Sequence, residues 1–271
     1  MTGSSSDALR SETEPVEPRV GYRVRLLGVP VIERRSETGF EELSWSLRRA
    51  LKILGFLASS QDLRAPREEI IDAIWPEASR GVIERNFHPT ISLLRRGLEP
   101  SARSRGSVIR QQHGVYALDS RCNWEIDILT FEGQFEAGRR LLDEGHRQQA
   151  ARRWEGAWKL YRGIFFRGHD DPWILTRRER FQRMYVELLG DLGDVLLEIG
   201  SLTRAEDAYR SLLLEDPLQE SVYVALMRVY SKRSRRDLVQ RQYEHMCRIL
   251  RRELGVEPSV ATLEAYNTLL L

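Results

Sequence analysis

Lysine is scarce in this chain. Of its 42 basic residues all but Lys52, Lys159 and Lys232 are arginine. Cysteine is scarcer still, and Cys122 and Cys247 lie too far apart in sequence to suggest a disulfide framework or a metal cluster. No stretch approaches the roughly 18 apolar residues needed to span a bilayer, and the start lacks an apolar signal core. No membrane partner is therefore expected, and a cytoplasmic protein is the default. The histidines at 88, 113, 146, 169 and 245 have no metal-ligand spacing. No Gly-rich phosphate loop of the Walker type occurs, and no Ser-His-Asp or Cys-His arrangement can be nominated. These gaps argue against an enzyme and against a bound cofactor.

What remains is a chain of 271 residues, 41% of them apolar, enough for two folded domains or one large one. Its net charge of +2 is uninformative until divided. Between Arg80 and Gln112, arginines 80, 85, 95, 96, 103, 105 and 110 face only Glu84 and Glu99. Arginine, unlike lysine, makes bidentate contacts with phosphate or guanine.

Residues 1–19 are poor in apolar side chains and read as a disordered tail. From Val20 the period becomes two: Val20, Tyr22, Val24 and Leu26 alternate with Gly21, Arg23 and Arg25, which predicts a half-buried strand. Val29–Ile32 predicts a second, joined through Gly28 and Pro30. Leu47, Ala50, Leu51, Leu54, Leu57 and Ala58 then recur at helical spacing, giving a helix over about 46–59. Pro66 suits the first helical position of a second helix, with Glu68 and Glu69 in its first turn. Pro76 stops that helix. A third runs from about Ile83 to Leu98, and a hairpin over 108–118 turns at His113-Gly114. This order is that of a winged helix-turn-helix over 20–120. Its connection at 76–82 is longer than usual, as contact loops often are.

Beyond Arg121 the pattern is helical to the end, so the fold class is mainly α, an α+β winged helix followed by an all-α repeat domain over 121–271. Comparing the chain with itself shows why. Setting Pro217 at the last fixed place of a 34-residue tetratricopeptide unit puts Leu189, Leu192, Gly193, Leu196, Ala205, Tyr209 and Leu212 at the other signature places. Earlier in the chain Gly138, Leu141, Gly145, Ala150, Trp154 and Ala157 repeat the pattern, and later Tyr223, Leu226, Tyr230, Val239 and Tyr243 do so with Met227 in place of the glycine. The interval between the first two units is too long, which predicts an irregular insertion around 161–172.

The third helix carries the chemistry. Phe87, Ile91, Leu94 and Leu98 fall on one side. Arg85, His88, Pro89, Ser92, Leu93 and Arg96 point the other way, and Arg95 lies at the boundary. Arginine can pair with guanine edges, serine with several, and leucine with a thymine methyl, so this face suits a DNA major groove. Pro89 fits only if the helix begins near Arg85–Asn86 or is kinked there. The hairpin would offer Arg110, Gln111, Gln112 and His113 to the backbone or the minor groove. Other clusters read more plainly. Gly168-His169-Asp170-Asp171-Pro172 is a turn in which Asp171 caps a helix before Pro172, rather than a cation site. Lys232–Arg236 is a solvated turn. Trp154, Trp158, Trp173, Tyr185 and Tyr209 are repeat core, with room for one or two to grip a peptide or small ligand.

Several phrases resemble a known family. Leu26-Leu27-Gly28, Arg67 through Pro76, Ile91 through Leu98 and Gly114-Val115-Tyr116-Ala117-Leu118 are similar to the OmpR-type winged helix-turn-helix. Asp127-Ile128-Leu129-Thr130-Phe131 and Arg251 through Pro258 resemble the bacterial transcriptional activator domain that follows it in the SARP regulators. That resemblance implies a transcriptional activator that binds double-stranded promoter DNA and recruits RNA polymerase. It places the protein at the nucleoid in the cytoplasm, with a homodimer and an effector on the repeats as further partners. It also implies that the ATPase module of larger relatives is missing. The family commonly has a basic residue where Leu93 stands and no proline at Pro89. The alternative is an adaptor in which both halves bind proteins and the winged helix does not touch DNA.

Overall fold

The computed structural model describes residues 20–45, 48–99 and 107–271. The tail over 1–19, Leu47 of the first helix, and Arg103 and Arg105 lie outside the described residues.

The alternation at the start forms β1 (Gly21–Arg25), which pairs antiparallel with β2 (Val31–Ser36), and β2 pairs with β3 (Gly39–Glu42). Tyr22, Val24 and Ile32 are buried, while Arg23 and Arg25 on the other face engage Glu33. Helix α1 (Arg48–Ala58) buries Ile53, Leu54 and Leu57 as its periodicity requires. A short strand, β4 (Arg64–Pro66), leads into α2 (Arg67–Ile74). Pro66 stands at the N-cap rather than the first helical position, because it is also paired with Val115 in extended conformation. Helix α3 spans Arg80–Leu98, three residues more at its start than the apolar pattern indicated. The helix-turn-helix connection is therefore Trp75–Ser79, shorter than expected. The hairpin is β5 (Ile109–Gln112) and β6 (Val115–Leu118), in a sheet of order β4-β6-β5. His113 and Gly114 both have positive φ, 48° and 79°, the primed turn that matches strand twist.

The next strand, β7 (Asn123–Ile126), falls beyond the boundary drawn at 121, yet it pairs parallel to β1 and completes a sheet of order β3-β2-β1-β7. Seven helices follow: α4 (Asp127–Asp143), α5 (Arg147–Leu160), α6 (Pro172–Glu198), α7 (Leu202–Glu215), α8 (Glu220–Lys232), α9 (Arg236–Leu254) and α10 (Val260–Leu270). They stack as hairpins in the register set by the repeat. A Cβ on Gly138 would lie 2.3 Å from Trp154 Nε1, and one on Gly193 would lie 2.4 Å from a Tyr209 ring carbon. Each glycine thus admits the aromatic ring of the second helix of its unit. In the third unit Met227, Tyr230 and Val239 are buried without that glycine.

The expected insertion joins the two halves. Phe165 and Phe166 are fully buried, Leu27 bridges Phe165, and the Phe166 amide donates to Leu26 O at 2.8 Å. Asp171 stands at the N-cap before Pro172, but its carboxylate makes no cap bond; it pairs with Lys52 Nζ of α1 at 2.7 Å. Arg177 donates to Phe56 O and Ser59 Oγ at the C-terminal end of α1, where a cation meets the helix dipole favourably. Asp127, buried at the first position of α4, accepts the Leu26 and Leu27 amides at 2.9 and 3.0 Å. Burial pushes its carboxyl above the usual range against the pull of those amides. One continuous apolar cluster runs through both halves.

Candidate nucleic-acid interface

Helix α3 rests on Phe87, Thr90, Ile91, Leu94 and Leu98, all buried. Arg85, His88, Pro89, Ser92 and Arg96 are exposed on its other side, with Leu93 half-buried beside them. At 100° per residue these six share a sector of about 140°, over roughly 16 Å of helix from Arg85 to Arg96. No other element of the described residues covers it.

Pro89 lies in the interior of α3, so the helix does not begin near Arg85–Asn86. It passes through Pro89 unbroken. Lacking an N–H, Pro89 leaves the Arg85 carbonyl without its intrahelical donor. Proline and the freed carbonyl's residue are both on the solvent side, where water can satisfy that oxygen. Beside it Thr90 Oγ1 donates to Asn86 O at 2.7 Å, and Asn86 Nδ2 donates to Val82 O at 2.7 Å.

Arg95 has a different orientation from its neighbours. Its Nε and Nη2 donate to Ile109 O at 3.1 and 2.9 Å, and Glu99 Oε1 accepts the Val108 amide at 2.8 Å. The last turns of α3 thereby hold the first strand of the hairpin. Phe87 packs edge-on against Tyr116 at 5.3 Å, and Arg67 lies over the Phe87 ring at 4.9 Å.

The hairpin residues divide by strand alternation. Gln111 stands opposite Tyr116, on the side that packs toward α3. Arg110 and Gln112 are on the other face with His113, where they line a hollow of about 480 Å³ together with Arg64 of β4 and Asp62. Arg64 escaped the sequence reading because a three-residue strand leaves no periodic signal. Arg110 also reaches Asp119 at 3.7 Å. Burial raises the Asp119 carboxyl, but hydrogen bonds from Arg121 and the charges of Arg121 and Arg110 prevail and hold it below the usual range.

In the turn before α9, Arg233 pairs with Glu206 and Arg235 with Asp237. Of the aromatics, Trp154 and Tyr209 are fully buried, Tyr185 nearly so, and Trp158 and Trp173 partly. Among the described residues no group of three or more His, Cys, Asp and Glu could hold a metal ion, and no helix is long and apolar enough to cross a membrane.

A winged helix-turn-helix locked to a stack of helical hairpins is the architecture of SARP-type regulators, and the two halves match it in order. Residues 126–270 match the bacterial transcriptional activator domain, and the chain belongs to that family. Two relatives are regulators by name. Regulatory protein AfsR of Streptomyces coelicolor is 25% identical over 221 residues, covering 80% of this chain and 21% of AfsR. Transcriptional regulatory protein MoaR1 of Mycobacterium bovis is 24% identical over 228 residues, covering 80% of this chain and 70% of MoaR1. The chain thus spans about a fifth of AfsR. Mycobacterium tuberculosis EmbR, solved in complex with a low-affinity phosphopeptide, shares the fold: TM-score 0.73, 18% identity, 93% of this chain and 65% of that one.

Proposed function

We propose that this protein is a sequence-specific transcriptional regulator, an activator, that lays α3 in the major groove of promoter DNA. The observation that carries this reading is the uncovered polar face of α3 from Arg85 to Arg96, continuous through Pro89. Arg85 and Arg96 flank that face and are the base or phosphate contacts. His88 and Ser92 supply smaller polar contacts, and Leu93 and Pro89 supply apolar ones. Arg110, Gln112 and His113 brace the sugar–phosphate backbone, and Gln111 reaches toward the groove occupied by α3. Arg95 serves the hairpin instead of the duplex. The repeat domain contacts RNA polymerase or a second protomer, and the protein acts at the nucleoid without catalysis.

Membership in the activator-domain family and the names of the relatives support this reading. The cations that α3 and the hairpin offer are few and all arginine, so sequence-independent affinity should be modest and fall steeply with salt. The test is selection of genomic fragments on the pure protein, followed by mobility shift at several salt concentrations. Enrichment of a shared sequence is expected. Retention of no sequence even at low salt, with a stable protein partner instead, would establish the adaptor reading, for which the proline inside α3 is the specific motive.

A further inference from the structure

The hairpin sheet has a face turned away from α3. In the order β4-β6-β5, Arg64 stands opposite Ala117 and Ala117 opposite Arg110, so the three side chains form one rung across the sheet. Pro66, Val115 and Gln112 form the next rung on the same side. Alternation turns Ala65, Tyr116 and Gln111 the other way. The two arginines are thus two strand spacings apart, about 9–10 Å between Cα atoms, with only an alanine between them. That gap opens into the hollow of about 480 Å³, a volume usual for a small-ligand pocket. Half-buried Val115 and Ala117 form its floor, and Gln112, His113 and Ser120 add exposed polar side chains.

The backbone is bent out of its ordinary range to put Arg64 there. Asp62 and Leu63, consecutive residues just before β4, have φ of 53° and 56°. Aspartate tolerates the left-handed region, and leucine does so much less readily. Strain of this kind persists where the surrounding structure imposes it, and it gathers at ligand clamps. What it accomplishes here is to bring a third, three-residue strand alongside β6, with Arg64 across from Arg110.

Both arginines can turn to a ligand at small cost. Arg64 pairs with Asp62 at 3.1 Å, but the two side chains are 62% and 61% exposed, and surface pairs of this kind contribute little. Arg110 lies 3.7 Å from Asp119, which is held more closely by another residue: Arg121 Nε and Nη2 donate to Asp119 Oδ2 at 2.9 and 2.7 Å. Asp119 therefore keeps a partner when Arg110 leaves it. Two guanidinium groups closing from opposite sides suit a tetrahedral phosphate, whose oxygens accept from both forks at once. A planar carboxylate is already satisfied by one.

We propose that this outer face of the hairpin sheet binds a small organic phosphate monoester. Its phosphate oxygens accept from Arg64 and Arg110, and its apolar body lies on Val115 and Ala117. Arg110, Gln112 and His113 are also the side chains that brace the sugar–phosphate backbone, so the ligand competes with DNA for them. That regulatory step rests on the proposed function; the binding itself does not.

The experiment is calorimetric titration of the full chain with phenyl phosphate, inorganic phosphate and phenol at fixed ionic strength. Phenyl phosphate should bind at least fivefold more tightly than inorganic phosphate, and phenol should not saturate. Arg64→Ala and Arg110→Ala should each weaken phenyl phosphate at least tenfold, with Arg64→Lys recovering part of the loss. Ala117→Leu keeps both charges but fills the gap between them, and should also cost at least tenfold. Arg153→Ala, exposed on α5, should cost less than twofold. Thermal unfolding reports whether each variant folds, and the exposed Arg64→Ala keeps the test decisive if Ala117→Leu does not. No saturable binding of phenyl phosphate at millimolar concentration overturns the proposal. So does phenol or inorganic phosphate binding as tightly, full binding by folded Ala117→Leu, or an equal loss with Arg153→Ala. Mobility shift on the same preparations separates the two readings. Phenyl phosphate should release a selected DNA from wild type and not from Arg64→Ala, whereas phosphate binding without DNA retention would sink only the regulator.

Discussion

Replacing Gly55 with alanine tests the junction between the two halves. In an open helix this change would stabilise the fold by up to about 1 kcal/mol, since alanine loses less backbone freedom on folding. At Gly55 the new Cβ would lie 2.2 Å from Phe166 Cε2 and 2.9 Å from Cζ. The Phe166 ring has little room to retreat. It is 0% exposed and packs on Trp173 at 5.7 Å, His169 at 5.1 Å and Phe165 at 5.7 Å. Overpacking of this kind costs about 1–3 kcal/mol, and the upper end applies where backbone must shift. The net expectation is a destabilisation of about 1–2 kcal/mol. Gly133→Ala in α4 is the control: nothing lies within 4 Å of its Cβ, so only the favourable helix term remains. Urea unfolding should place the two variants on opposite sides of the wild type, separated by roughly 2–3 kcal/mol. Hydrogen exchange should accelerate at the Gly28 and Phe166 amides, which cross the junction. If Gly55→Ala were as stable as Gly133→Ala, the account of how the halves are locked would be wrong.

Four further outcomes are expected. Arg96→Ala should weaken binding to a selected sequence by about 1–3 kcal/mol and relax preference at one base pair; a uniform loss across sequences makes Arg96 a phosphate contact. Arg95→Ala should speed hydrogen exchange across 109–118 in the free protein, with Arg95→Lys restoring part of the protection; unchanged exchange would show that the bonds to Ile109 O do not hold the hairpin. Pro89→Ala returns a donor to the Arg85 carbonyl and should raise the melting temperature, corresponding to about 1–3 kcal/mol; a loss of stability would mean the proline fits a bend the helix needs. His169 gives a pH signature. Burial and the charge of Lys52 lower its pKa below the usual value, so its contribution is present above about pH 6.5 and is lost as pH falls through the folded-state value. Melting temperature between pH 7.5 and 5 should therefore fall more steeply for wild type than for His169→Gln.

Legibility varied with the range of the interactions. The strand through Tyr22 and Val24, helix α1, the α3 face and the glycine–aromatic pairs of the repeats were readable because each element's burial repeats at its own period. Strands β3, β4 and β7 are not, for they are three or four residues long, and β4 and β7 exist only through partners far away in sequence. Helix α3 starts before its first apolar repeat because Arg80 and Gly81 carry no apolar signal, and the connection before it is shorter than the sequence predicts for the same reason. Helical angle alone leaves Arg95 at the boundary of the DNA-facing side, because it cannot show that Ile109 O lies within its reach.

The amino-acid order by itself determined the two-part plan, the repeat register and the composition of the face from Arg85 to Arg96, since local periodicity and residue size encode all three. Tertiary structure alone decided which arginine braces the hairpin, that β7 completes the first sheet, and that Phe165 and Phe166 fuse the halves into one core. Those outcomes depend on groups 14 residues apart in the first case and more than a hundred in the other two meeting in space, and no local pattern records such a meeting.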